Sequence, residues 1–301
     1  MSPPAPPAPP APRAPPVSPT RVAVIGAGTM GHGIAYIAAM AGCHVRLTDA
    51  RPESLPQAME KIEGLLAGGL KRGKLMEADA ASLRGRLRTA AALGEAAGDA
   101  DVVIEAIVED LTAKQQLFVE VERAAPTGAL LASNTSSLSI GQIASVMTQP
   151  ARLVGMHFFN PVHVMKLVEV VTHGPDSLPE AERAVELAKK LGKEPIVVRD
   201  SPGFASSRLG VVLGLEAMRM LEQGVASAED IDKAMELGYN HPMGPLRLSD
   251  QIGLDVRLAI AEYLHATLGR SQYEPPRILR EKVKKGELGR KSGKGFYTWS
   301  D

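Results

Sequence analysis

The densest chemical signal in the chain lies at residues 26–31. Gly26-Ala27-Gly28-Thr29-Met30-Gly31 follows the β-branched run Arg21–Ile25 and opens a stretch of small and apolar residues. Each glycine has its own physical use. Gly26 permits a tight turn, Gly28 lets a diphosphate approach the backbone, and Gly31 lets the next helix pack against the strand. Thr29 and Met30 sit between them, where free N–H groups at the helix start would meet negative charge. Asp49 follows Gly31 by 18 residues, at the end of the next apolar run. A carboxylate there hydrogen-bonds an adenosine ribose and repels a 2′-phosphate, which favours NAD over NADP. Arg51 is close enough to accept a 2′-phosphate or to stack on adenine.

A second signal is acid–base. Of seven histidines, His157 has a distinctive setting, Met156-His157-Phe158-Phe159-Asn160-Pro161. It falls at the C-terminal end of a predicted strand, where open α/β sheets bind their ligands. Glu169 follows it in Leu167-Val168-Glu169-Val170-Val171. An acid among such neighbours is unfavourable unless paired. From spacing alone two readings stand. Glu169 either holds His157 as a general base, fixing its tautomer and stabilising the imidazolium, or faces solvent on an edge strand.

Positioning such groups takes a sheet. Arg21–Ile25, 44–49, 102–106, Leu130–Ser133, Leu153–Phe158, Leu167–Thr172 and 195–199 read as strands. Residues 30–41 and 112–125 read as helices between them. Strand–helix alternation predicts a parallel sheet covered on both faces. Beyond residue 200 the pattern is helical, over 204–223, 227–237 and 246–268, with Ser227 as an N-cap. The expected fold is therefore α/β: a Rossmann-type doubly wound sheet over 20–200, followed by a smaller all-helical C-terminal domain over 201–301. Residues 1–19 hold ten of the 23 prolines and read as a disordered Pro/Ala-rich leader.

Composition excludes several classes. Lys+Arg and Asp+Glu are both 34, so no global field steers the chain to nucleic acid or an anionic membrane. Cys43 is the single cysteine, which rules out an internal disulfide or a Cys-based zinc site and fits a reducing, cytoplasmic setting. No metal site is expected. No stretch reads as a membrane span, and the N-terminus lacks the apolar centre of a signal peptide. Gly289-Arg290-Lys291-Ser292-Gly293-Lys294 lacks the spacing of a phosphate-binding Walker loop.

Several strings together resemble the L-3-hydroxyacyl-CoA dehydrogenases, including the 3-hydroxybutyryl-CoA dehydrogenases. These are Ser133-Asn134-Thr135-Ser136-Ser137-Leu138, Met156 to Val162, Met165 to Val170, Asp200-Ser201-Pro202-Gly203-Phe204, Ala228 to Pro245, and Leu288 to Tyr297. The likeness runs from about Arg21 to the C-terminus. It implies NAD as cofactor, an acyl-CoA substrate and a homodimer through the helical domain. It also implies that His157 and Glu169 form the catalytic dyad and that Ser136 bonds the substrate 3-oxygen. Asn134 and Asn160 would lie near the nicotinamide, Glu109 and Lys114 near its ribose, and Lys71, Arg72 and Lys74 near the CoA phosphates. One position departs. The family pattern Pro-Gly-Phe-x-x-Asn-Arg reads Pro202-Gly203-Phe204-Ala205-Ser206-Ser207-Arg208 here, so Ser207 replaces a substrate-side asparagine. Two other functions stay open from the residues: a dehydrogenase of a free hydroxy or sugar acid, and a catalytically weak NAD-binding structural or regulatory protein.

Overall fold

The computed structural model describes residues 20–300; the leader 1–19 lies outside the described residues. Eight strands form one sheet: β1 (Arg21–Ile25), β2 (His44–Thr48), β3 (Leu87–Thr89), β4 (Val102–Glu105), β5 (Leu130–Ser133), β6 (Leu153–Phe158), β7 (Leu167–Thr172) and β8 (Glu194–Arg199). Their order is β3-β2-β1-β4-β5-β6-β7-β8, whose first six strands follow the dinucleotide-binding order. The sheet-side helices are α1 (Gly31–Met40), α2 (Ser54–Lys71), α3 (Glu77–Arg86), α4 (Leu93–Ala97), α5 (Leu111–Ala124), α6 (Ile140–Ala144) and α7 (Leu178–Lys190). After them come α8 (Ser206–Glu222), α9 (Ala228–Gly238), α10 (Pro245–Ile252), α11 (Leu254–Leu268) and α12 (Arg277–Lys284).

The central strands β4, β5 and β6 are buried along their whole length because both faces are covered, whereas the edge strand β8 is largely exposed. Alternation sorts them: Val22, Val24, Val102 and Ile104 join one core with α1, α2, α3 and α7. Ala23, Ile25, Val103 and Leu131 join a second with α4, α5 and α6. A third core, including Val211, Leu215, Met218, Leu246 and Leu264, belongs to the C-terminal helices. Ser227 caps α9 as expected, its Oγ accepting from the Asp230 N–H at 3.1 Å.

Three features depart from the sequence-based expectation. The sheet is not wholly parallel: β6 and β7 are antiparallel, because the connection 159–166 is too short for a parallel crossover of roughly a dozen residues. The predicted helix 246–268 is two helices, broken at Gly253, whose φ of 108° lies outside any helical region. The stretch between β2 and β4, unassigned from sequence, folds as α2, α3, β3 and α4.

The C-terminal tail is tied down by Asp250 on α10. This carboxylate is fully buried and accepts from the N–H groups of Phe296 and Tyr297 and from the Trp299 indole, each at 2.9 Å. Asp250→Ala should leave those donors unpartnered and lower stability by about 3 kcal/mol, read as a fall in the thermal unfolding midpoint.

Candidate active site

Parallel strands end together, so β1, β4, β5 and β6 bring their C-terminal residues to one edge. At β1 the glycine turn takes the shape its residues require. Gly26 has φ 106°, and a Cβ there would lie 2.5 Å from the Ala106 carbonyl oxygen. A Cβ on Gly31 would lie 1.6 Å from the Gly26 oxygen, whereas one on Gly28 would meet nothing within 4 Å. Gly26 and Gly31 are thus required by the protein's own packing, while Gly28 borders open space, where a diphosphate fits. No side chain caps the start of α1, so its N–H groups are available to an anion. Thr29 is exposed and Met30 half-buried beside it.

Asp49 is anchored to this turn. Its Oδ2 accepts from the Ala27 N–H at 2.7 Å and its Oδ1 from the Arg51 N–H at 2.8 Å. The Arg51 side chain is exposed, with Nε 4.0 Å from Asp49. These residues fit the adenosine end of NAD.

A buried charge network closes the ends of β4 and β5. Glu105, the last residue of β4, is fully buried. Its Oε1 lies 2.5 Å from Lys114 Nζ, and its Oε2 accepts from Ser133 Oγ at 2.6 Å. Lys114, equally buried, also lies 3.4 Å from Glu109. Glu109 Oε1 gathers Thr135 Oγ1 at 2.7 Å, the Ser136 N–H at 2.9 Å and Oγ at 3.2 Å, and the Ser137 N–H at 3.1 Å. Burial pushes the Glu109 pKa up, but Lys114 and the hydroxyl and amide donors outweigh it and hold the carboxyl below its ordinary range. Glu109, Lys114 and Ser136 therefore act as one unit. Glu105 was missed from sequence, although an acid ending the run Val102–Glu105 is the same signal that singled out Glu169. Asn134 Oδ1 accepts from the Phe158 N–H at 2.9 Å, joining the ends of β5 and β6. Asn160 is exposed.

His157 and Glu169 are direct cross-strand neighbours on β6 and β7, with Nδ1 and Oε2 2.8 Å apart. Glu169 is fully buried and does not face solvent; the edge strand is β8. The carboxylate also accepts from the Ala205 N–H at 3.1 Å, the Ser206 N–H at 2.8 Å and Ser206 Oγ at 2.7 Å. Thus Glu169 caps the N-terminus of α8. The turn that aims those N–H groups places Phe204 at φ 48°, a conformation a bulky residue rarely takes. The His157 ring packs on Phe159 and Phe204, with centroids 4.3 and 6.0 Å away.

Burial pushes the Glu169 pKa up, but bonds from His157 and Ser206 overcome it and hold the carboxyl below its ordinary range. An ionised Glu169 only accepts, so Nδ1 of His157 donates to it, and in the neutral ring that tautomer leaves the lone pair on Nε2. Ser206 joins the pair, whereas Ser207 makes no side-chain hydrogen bond among the described residues. Lys71, Arg72 and Lys74 are exposed at the end of α2. No cluster of three or more His, Cys, Asp or Glu side chains among the described residues could hold a metal.

The depressed Glu169 pKa contributes stability that is present above the ordinary glutamate value of about 4.3 and is lost as pH falls through the folded-state value. Glu169→Gln should lower stability at pH 7 by about 2 kcal/mol, and the gap to wild type should close in acid. Urea unfolding midpoints across that pH range provide the check.

Residues 21–201 match the family description "3-hydroxyacyl-CoA dehydrogenase, NAD binding domain", and residues 203–299 match "3-hydroxyacyl-CoA dehydrogenase, C-terminal domain". A probable 3-hydroxybutyryl-CoA dehydrogenase of Bacillus subtilis is 46% identical over 281 residues, covering 93% of this chain and 98% of the relative. A 3-hydroxybutyryl-CoA dehydrogenase of Clostridioides difficile is 40% identical over 280 residues, covering 93% and 99%. The crystal structure of (S)-3-hydroxybutyryl-CoA dehydrogenase from Ralstonia eutropha superposes with a TM-score of 0.90 at 40% identity, covering 94% of this chain and all of that one. With both domain descriptions matched in order and the sheet, glycine turn and helical domain in place, the chain belongs to the 3-hydroxyacyl-CoA dehydrogenase family.

Proposed function

We propose that this chain catalyses the reversible, NAD-dependent oxidation of (S)-3-hydroxyacyl-CoA thioesters to 3-oxoacyl-CoA. The observation that carries the reading is the buried His157–Glu169 pair, its Nε2 free, on the same sheet edge as the glycine turn. NAD, when bound, supplies the acceptor of the substrate's C3 hydride. Nε2 of His157 takes the proton of the 3-hydroxyl in oxidation, and the imidazolium returns it in reduction. Glu169 holds Nδ1–H and stabilises the imidazolium as charge develops.

The remaining site residues take roles in the same proposal. Ser136 orients the 3-oxygen, and its hydroxyl is prepositioned by Glu109. Gly26, Gly28, Thr29, Met30 and Gly31 form the diphosphate cradle, with Asp49 and Arg51 at the adenosine end. Glu109, Lys114, Asn134 and Asn160 serve the nicotinamide half. Ser207, shorter than the family asparagine, reaches the substrate oxygen through a water, which is nearly as good enthalpically as a direct bond. The division near residue 200 separates a nucleotide domain from a helical domain that completes the substrate site. Leu209 on α8 and Val256 on α11 leave apolar surface exposed, 72% and 41% respectively, which supports a homodimer through that domain. No helix among the described residues is long and apolar enough to cross a membrane; a cytoplasmic enzyme is part of this proposal.

The direct test is NADH oxidation with acetoacetyl-CoA, with free acetoacetate as the contrast. Turnover of the thioester but not the free acid is expected, and the reverse would transfer the site to the free-acid reading. His157→Ala should lower kcat by roughly 10²–10⁴-fold, the usual general acid–base contribution, with the NADH Kd nearly unchanged. NADH binding without turnover of any thioester would favour the structural or regulatory alternative. Light scattering should give twice the 31.9 kDa chain mass, and a monomer at micromolar concentration would reject the dimer.

A further inference from the structure

Four protein donors meet the Glu169 carboxylate, two on each oxygen. Oε1 takes backbone N–H groups, those of Ala205 at 3.1 Å and Ser206 at 2.8 Å. Oε2 takes Nδ1 of His157 at 2.8 Å and the Ser206 hydroxyl at 2.7 Å. Ser206 thus grips both oxygens, one through its backbone and one through its side chain. The other fully buried acid of the site is built differently. Ser133 Oγ meets Oε2 of Glu105, whereas Lys114 and the Ile107 N–H meet Oε1. There the hydroxyl and the cation use separate oxygens; on Glu169 the hydroxyl and the imidazole share one.

Sharing an oxygen has a chemical consequence. A hydrogen bond to the ionised form of a carboxylate stabilises that form. The Ser206 hydroxyl therefore lowers the affinity of Oε2 for a proton, and with it the pull of that oxygen on Nδ1–H. When the 3-hydroxyl proton reaches Nε2, the imidazolium rests on this same oxygen. Among the described residues, His157 is the titratable group that touches the carboxylate. The β8 neighbour of Glu169 is Ile196, α8 offers it backbone and hydroxyl donors, and the imidazole packs on the rings of Phe159 and Phe204. Ser206 fills the second open place in the family pattern Pro-Gly-Phe-x-x-Asn-Arg, where no hydroxyl is required, so this contact is a property of this chain.

Resting on the dehydrogenase reading, we propose that Ser206 is a positioning residue of the general base: its hydroxyl competes with Nδ1–H for one carboxylate oxygen and so sets the pH at which His157 exchanges its proton. Ser206 acts through Glu169 and not on the substrate. Its backbone N–H holds Oε1, which fixes the plane of the carboxylate with Oε2 toward the imidazole. With the hydroxyl in place the imidazolium is held less tightly and returns its proton more readily in reduction. The neutral imidazole that oxidation requires then persists to lower pH.

The test is the pH profile of kcat/KM in both directions, with (S)-3-hydroxybutyryl-CoA and NAD for oxidation and acetoacetyl-CoA and NADH for reduction. Oxidation requires the neutral imidazole and falls on the acid side; reduction requires the imidazolium and falls on the alkaline side. Ser206→Ala keeps both backbone donors and removes the hydroxyl. It should move both limbs together to higher pH, by about half to one unit. Ser206→Thr, which keeps a hydroxyl, should bring them back toward wild type. A merely structural loss would lower the plateaus and leave the limbs in place. Limbs that stay in place or move to lower pH in Ser206→Ala overturn the inference. So do limbs displaced equally in Ser206→Thr, which would put the effect in the start of α8 and not in the hydroxyl. Wild-type turnover with unmoved limbs in the variant removes only this inference, whereas a wild type that turns over no thioester removes the dehydrogenase reading on which it rests.

Discussion

The buried carboxylate of Glu169 is the interaction on which the rest of the site depends. It has no water to solvate it, so every lone-pair direction must be met by a protein donor. The donors come from both parts of the chain: Nδ1 of His157 on the neighbouring strand, and the backbone and hydroxyl groups that begin α8. One side chain thereby sets the imidazole tautomer, neutralises the free N–H groups of a helix start, and joins the helical domain to the sheet. The unfavourable backbone at Phe204 is sustained by the bonds it allows to Glu169, and the Phe204 ring packs on His157.

Glu105 repeats this logic three strands away. It too is a fully buried acid in an apolar strand, satisfied by Lys114, Ser133 and the Ile107 N–H. Lys114 links it to Glu109, and Glu109 orients the Thr135–Ser137 loop that carries Ser136. The two halves of the site are therefore built on buried acids whose polar neighbours point toward the sheet's carboxyl edge. Such networks are rigid because removing one member leaves its partners unpaired, which suits groups that must meet a substrate in one orientation.

The helical domain shows the contrast. Its core is apolar, its tail is clasped by Asp250, and Asp232 accepts from the Leu246 and Arg247 N–H groups, so its buried acids are matched to donors.

The amino-acid sequence by itself determined much of this protein. The strand–glycine-turn–helix start, Asp49, the end-of-strand His157 and the switch to helices near residue 200 were legible, because periodicity, turn chemistry and caps act within a few residues. Resemblance supplied the roles of Ser136, Glu109 and Lys114, for which spacing has no rule. Tertiary structure alone decided which groups meet. The antiparallel turn of β7 set Glu169 opposite His157 and settled the choice between a paired and a solvent-facing acid. The approach of α8 brought Ser206, 37 residues from Glu169, onto the dyad's carboxylate. Glu105 found Lys114 and Ser133 from separate elements. The physical reason is range: backbone preferences are local, whereas the partner of a buried charge depends on how distant elements pack.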